Sequence, residues 1–193
     1  MGREFEMKYA ARPWQQAQIL AVLQGQWQTF QMQTVYYDTR ERDFSRRRYT
    51  LRLRRENGEG VCTVKTPQPG NARGEWECRC ERIEDAIPLL LQAGCPAEVA
   101  DLAAKGLEQV CGAEFTRRAL TVNFRDAVLE VALDRGVLLG GGKELPLCEA
   151  EVELKSGSEE AALAFARDFA GEFGLKPEER SKVARALALA GEG

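Results

Sequence analysis

Near the start of the chain Glu4-Phe5-Glu6-Met7-Lys8 places an acid at every second position and ends in a lysine. Far from it, Glu149-Ala150-Glu151-Val152-Glu153-Leu154-Lys155 does the same. In a β-strand alternate side chains share a face, so each segment presents a row of carboxylates closed by an ammonium. Two such rows brought together would form an all-oxygen site suited to Mg²⁺ or Mn²⁺, and carboxylates that close repel one another unless a cation neutralises them. Between them, Leu51-Arg52-Leu53-Arg54 sets two guanidiniums side by side, and Thr63-Val64-Lys65 lies on the hairpin partner strand. Guanidinium forks match phosphate oxygens in pairs and lysine adds a mobile point charge, a combination fitted to several linked phosphates. Taken singly, each motif also reads as a solvated strand face, with the bases paired across strands to Glu75 and Glu77.

The elements that must carry these residues are mostly strands. The pattern predicts a strand near 3–10, a helix from Pro13 to Leu23, and strands at 27–38, 49–56, 61–66 and 73–82, with Asn57-Gly58 as a hairpin turn. Helices follow at 84–92 and 97–110. Strands return at 115–124, 127–134, 137–139 and 147–155, and helices close the chain from 159 to 173 and from 177 to 190. Residues 39–48 form a basic connection in which Arg46-Arg47-Arg48 reads as a solvated patch or lip. In the strand around Glu130, the residues Glu130, Ala132 and Asp134 share one face while Leu129, Val131 and Leu133 share the other. From alternation alone, an open antiparallel sheet with helices on its apolar side is favoured over a closed one with charges in a lumen.

Composition narrows the chemistry. The 193 residues fit one domain, 1–193, with net charge −3, 44% apolar and 30% charged residues. No histidine occurs, so imidazole acid–base chemistry and Ser-His-Asp triads are excluded. The six cysteines show no Cys-x-x-Cys pair and read as ordinary buried thiols. No apolar run suggests a leader or a membrane span, so a cytoplasmic protein without a membrane partner is expected. Acids on the same faces as the bases speak against nucleic acid, and Trp14, Trp27 and Trp76 fall at core or rim positions. A homodimer is a common arrangement, but nothing in the sequence locates an interface.

Taken in order, these motifs are similar to those of the CYTH domain, or triphosphate tunnel metalloenzyme, family, whose hallmark Glu-x-Glu-x-Lys is filled by Glu4, Glu6 and Lys8. The resemblance continues through Tyr36-Tyr37-Asp38-Thr39, Arg52 and Arg54, Lys65, Arg73-Gly74-Glu75-Trp76-Glu77, the segment from Glu130 to Gly136, Glu151 and Glu153, and Ser181-Lys182. It implies an α+β fold built on a closed eight-stranded antiparallel β-barrel, with helices packed outside and a linear triphosphate in the lumen. It further implies that Glu4, Glu6, Glu151 and Glu153 hold Mg²⁺ or Mn²⁺, with Glu130 and Asp134 as additional metal contacts. Lys8, Arg52, Arg54, Lys65, Arg117 and Lys182 would hold phosphate oxygens, and Arg73 and Arg79 would support the wall. Glu4, Glu6, Lys8 and Lys65 are the implied catalytic set. Whether Arg117 or Arg118 points inward rests on a register of one residue. The implied activity is hydrolysis of tripolyphosphate. Thiamine triphosphate or ATP as substrate, a class IV adenylate cyclase, or a polyphosphate-binding module without turnover stay open as alternatives.

Overall fold

The computed structural model describes residues 2–67 and 73–191, with the backbone alone at 2–4 and Arg73. The chain forms β1 (Gly2–Glu4), β2 (Glu6–Ala10), α1 (Pro13–Val22), β3 (Gln28–Asp38), α2 (Asp43–Arg46), β4 (Thr50–Glu56), β5 (Glu59–Pro67) and β6 (Arg73–Arg79). Then come α3 (Ile83–Gln92), α4 (Glu98–Ala103), β7 (Glu108–Phe124), β8 (Ala127–Gly140), β9 (Lys143–Ser156), α5 (Glu159–Phe173), β10 (Lys176–Pro177) and α6 (Lys182–Leu189). All ten strands join one antiparallel sheet in the order β1-β6-β5-β4-β3-β7-β8-β9-β2-β10.

That order has two ends, and among the described residues β1 and β10 do not pair with each other. The sheet is therefore open, and the closed eight-stranded barrel implied by the resemblance is corrected: the described residues form ten strands and the sheet keeps its edges. The physical cause lies in the first extended segment, which breaks at Phe5. Its first part, β1, pairs with β6 (Glu4 opposite Arg73), while β2 pairs with β9 (Glu6 opposite Glu153). The sheet curves nonetheless, because side chains of β2 to β9 line one common cavity.

The convex face is apolar and covered by helices. Leu129, Val131 and Val152 are fully buried against α5, with Ile19 of α1 and Phe169 of α5 in the same cluster. Leu51, Leu53, Cys62, Val64 and Trp76 pack with Ile83 and Leu90 of α3 and Val99 of α4. At about 1.5–3 kcal/mol for each fully buried large side chain, these two layers hold the sheet's curvature.

One helix departs from the expected outside packing. Ala186 of α6 packs with Met32, Ala113, Phe115, Leu138 and Leu147, and these lie on the charged, concave face. The sheet makes room through glycine: a Cβ at Gly140 would stand 2.0 Å from the Ala186 carbonyl oxygen. Predicted boundaries also move: the strands expected at 127–134 and 137–139 form the single strand β8, and β9 begins already at Lys143. Strand β7 begins at Glu108 and displaces the end of the predicted 97–110 helix, because pairing with β3 satisfies backbone groups that a frayed helix end would leave open. Pro177 lies in β10, and the last helix starts only after Ser181, whose hydroxyl caps it by accepting from the Ala184 N–H.

Gly140→Ala should lower stability by about 1–3 kcal/mol, the usual cost of overpacking, measured as a shift in the urea midpoint. An unchanged midpoint would mean that α6 does not press on β8.

Candidate active site

The concave face encloses a cavity of about 750 Å³. Register fixes which side chains meet there, since directly paired residues of an antiparallel sheet share a face. Glu6, Glu153 and Glu130 are successive partners across β2, β9 and β8, so three carboxylates from three strands stand in one line. Lys8 lies opposite Glu151 one step along. Lys155, the end of the second acidic row, reaches back to Glu153 at 2.9 Å and to Glu130 at 3.8 Å. Burial opposes its charge, but these glutamates outweigh that and raise the Lys155 pKa.

The other wall is basic. Arg52 and Arg54 of β4 and Lys65 of β5 line the cavity, with Glu75 and Glu77 of β6 beside them. Lys65 sits 3.3 Å from Glu75, Arg52 3.9 Å from Glu75, and Arg54 reaches Glu56 and, at 3.9 Å, Glu77. Three bases thus face three glutamates, with two of the contacts as long as 3.9 Å. Burial first, and then repulsion from Arg52, lower the pKa of Arg54, and its buried Nε has no hydrogen-bond partner in the chain. Bringing a phosphate anion against this wall would relieve both costs.

Between the walls lies a buried ion network. The ligand oxygens of Asp134, Glu149 and Glu151 lie within 4.8 Å of one another, the buried acidic cluster of the described residues. Lys182 of α6 stands inside it, 2.9 Å from Asp134, 2.6 Å from Glu149 and 2.6 Å from Glu151. Arg117 grips Asp134 in a fork, Nε and Nη2 at 2.8 and 2.7 Å, and also reaches Glu151; Arg185 pairs with Glu149. Burial penalises every one of these charges. At an effective dielectric near 20 each close pair returns about 4 kcal/mol, so several contacts per ion outweigh a penalty of several kcal/mol. Lys182 and Arg117 are accordingly held well above their ordinary values, burial being overcome by Asp134 and Glu151. Glu151 is held well below the ordinary glutamate value, burial being overcome by Lys182 and Arg117. From α1, Gln16 donates its side-chain amide to the backbone oxygens of Asp134 and Glu149, which pins the two strands at the cluster.

The sequence-predicted residues divide accordingly. Glu6, Lys8, Arg52, Arg54, Lys65, Arg117, Glu130, Glu151, Glu153 and Lys182 all line the cavity. Arg117 is the inward member of its pair and Arg118 is exposed. Arg79 is 87% exposed, 3.7 Å from Glu59, and does not join the wall. The side chains of Glu4 and Arg73 lie outside the described residues; their backbones face each other across β1 and β6. Asp134 and Glu151, expected as metal contacts, are engaged by Lys182 and Arg117, and Lys182, expected on phosphate, is engaged by acids. Arg46, Arg47 and Arg48 are exposed. Asp38 of the Tyr-Tyr-Asp-Thr motif is buried and structural: it accepts from the N–H groups of Thr39, Phe44 and Ser45 and shapes the connection after β3.

Sequence reasoning passed over Lys155, Arg185, Glu56 and Glu178 as site residues. Lys155 was visible, sharing the parity of Glu149, Glu151 and Glu153. Arg185 follows Lys182 by three on a helix and so shares its face. Glu178, in the turn before α6, carries no periodic signal.

The ion network sets an acid limit. Glu151 has a depressed folded pKa, so its contribution is complete above the ordinary value of 4.5 and is lost as pH falls through the folded value. Glu151→Gln should cost about 3–5 kcal/mol at pH 7, and the gap from the unaltered protein should narrow as urea midpoints are followed down to about pH 3. A gap independent of pH would contradict the ionised pairing.

Comparison with known proteins agrees with this geometry. The model of the CYTH domain matches residues 2–187. An inorganic triphosphatase of Haemophilus influenzae is 28% identical over 156 residues, 80% of this chain and 44% of that protein, so the chain spans less than half the relative's length. Among solved structures, PH1819 from Pyrococcus horikoshii OT3 superposes with TM-score 0.66 at 22% identity, covering 96% of this chain and 99% of the other. HpAC1 from Hippeastrum, an adenylyl cyclase candidate described as having a dominant triphosphatase activity, gives 0.63 at 16% identity over 96% and 95%. These two likenesses establish a shared fold. With its acidic and basic motifs on one concave face and the family pattern running through nearly its whole length, the chain belongs to the CYTH domain family.

Proposed function

We propose that the chain is a divalent-metal-dependent triphosphatase that hydrolyses inorganic tripolyphosphate to pyrophosphate and phosphate. The observation that carries this reading is the pairing of opposed walls in one cavity: Arg52, Arg54 and Lys65 on one side, and Glu6, Glu153 and Glu130 in line on the other. The inorganic triphosphatase relative supports the same reading.

The acidic line fits a hard divalent cation. It offers oxygen donors only, and the ammonium of Lys155 already lies against two of its members. Glu4, by the family pattern, would add a further carboxylate. A metal bound there would supply Lewis acidity and a water of lowered pKa, chemistry that needs no histidine. The chain's own groups do the rest. Arg52 and Arg54 hold non-bridging phosphate oxygens in forked pairs, and Lys65 and Lys8 place point charges along the triphosphate. As the phosphoanhydride bond breaks, negative charge grows on the leaving pyrophosphate, and these cations stabilise it.

A second reading has one observation in its favour. Phe30, Met32 and Phe115 give the cavity an apolar stretch against which the organic part of thiamine triphosphate or ATP could rest.

Phosphate release from tripolyphosphate should require Mg²⁺ or Mn²⁺ and stop with chelator, and Lys65→Ala or Glu4→Ala should lower kcat by roughly 10²–10³-fold. Comparing kcat/KM among tripolyphosphate, thiamine triphosphate and ATP decides the substrate. Brisk turnover in chelator would overturn the metal requirement. Tight binding with no turnover under any metal would select a binding module.

A further inference from the structure

The Asp134, Glu149 and Glu151 triad has the donor atoms and spacing of a cation site, yet it already holds a cation of the chain's own. Lys182 is 12% exposed at its side chain and places its ammonium within 2.9 Å of all three carboxylates. The ammonium donates a hydrogen bond to Glu151 Oε1 and pairs with Asp134 and Glu149 as an ion, with Glu149 Oε2 accepting no hydrogen bond. Arg117 and Arg185 supply the remaining positive charge, and three acids then face three bases. The ammonium also lies over the ring of Phe115, 5.5 Å from its centre, within cation–π range. A divalent ion entering this balanced cluster would leave two buried positive charges uncompensated, which costs several kcal/mol per ion. The line of Glu6, Glu153 and Glu130 keeps its carboxylates at the cavity wall, with Lys155 beside two of them, and is the seat that the metal reading assigns.

We infer that Lys182 stands in for a second metal ion, filling the Asp134–Glu149–Glu151 triad and confining divalent metal to the Glu6–Glu153–Glu130 line. The second half of this statement rests on the metal reading given above. The stand-in is held by its helix. Ser181 caps α6, Ala186 is buried against β7, β8 and β9, and Gly140 lets the helix approach, which fixes the backbone of Lys182 beside the triad. Lys182 is thus a positioning residue: it sets where metal binds and how many ions bind.

The test is Mn²⁺ stoichiometry, read by paramagnetic resonance of free Mn²⁺ during titration without triphosphate. The unaltered chain should bind one ion, Lys182→Met two, and Lys182→Met with Asp134→Asn one again. In the otherwise unaltered chain Glu149→Gln should leave the count unchanged, whereas Glu130→Gln should weaken the single ion at least tenfold; this pair keeps the test intact if Lys182→Met fails to fold. Equal counts in folded Lys182→Met and the unaltered chain, or loss of an ion with Glu149→Gln, would overturn the inference. Should the unaltered chain bind no ion while Lys182→Met gains one, the metal line of the proposed function fails and the role of Lys182 stands.

Discussion

Strand alternation sets the face of the charged residues that line the cavity. In β4, β8 and β9 Leu51, Leu53, Leu129, Val131, Ala150 and Val152 are taken by the helical layers, so Arg52, Arg54, Glu130, Glu151 and Glu153, of the other parity, face the concave side. A curved sheet brings those side chains toward one another, and like charges at close range are unfavourable unless balanced. The structure meets this constraint in three ways. Buried acids are closed by Lys182, Arg117 and Arg185. The line of exposed Glu6 with half-buried Glu153 and Glu130 has Lys155 beside it. The basic wall sets Arg52, Arg54 and Lys65 beside Glu56, Glu75 and Glu77, and Arg54, its buried Nε without a partner in the chain, is the natural seat of an anion.

Position along the sheet decides which of these balances is permanent. Long strands β7, β8 and β9 extend beyond the shorter ones, and the excess of their concave surface is apolar at Ala113, Phe115, Leu138 and Leu147. Helix α6 covers that surface and carries Lys182 to the acids at its border. The largely buried network, which meets the cavity at Arg117, Glu151 and Lys182, therefore serves as its structural floor. A CYTH domain chain with this division has a fixed half and a reactive half on a single face.

Much of that face was legible beforehand, because period-2 alternation is a local property. Arg52 with Arg54, Glu130 with Asp134, and Glu151 with Glu153 declare their faces from neighbours alone. Alternation does not report what pairs with what. The break at Phe5, which sends β1 to β6 and β2 to β9, depends on long-range pairing; alternation alone favoured the open sheet that the chain has, and the closed barrel came from the family resemblance. The choice between Arg117 and Arg118 needed the pairing of β7 with β8, where Arg117 meets Asp134. Arg79 shares parity with the wall but lies where β6 ends, beyond the curvature that would turn it inward. The largest departure, Lys182 among acids in place of phosphate, came from a helix whose docking face could be read but whose partner could not.

The central claim is that one concave face offers a divalent cation and a triphosphate adjoining seats of opposite charge. A cocrystal structure with Mn²⁺ and tripolyphosphate, the metal identified by its anomalous signal, tests it most directly. The account predicts metal beside Glu6, Glu130 and Glu153, and phosphates against Arg52, Arg54 and Lys65. Metal seated in place of the Lys182 ammonium, or phosphate bound only on the convex or outer surface, would contradict it.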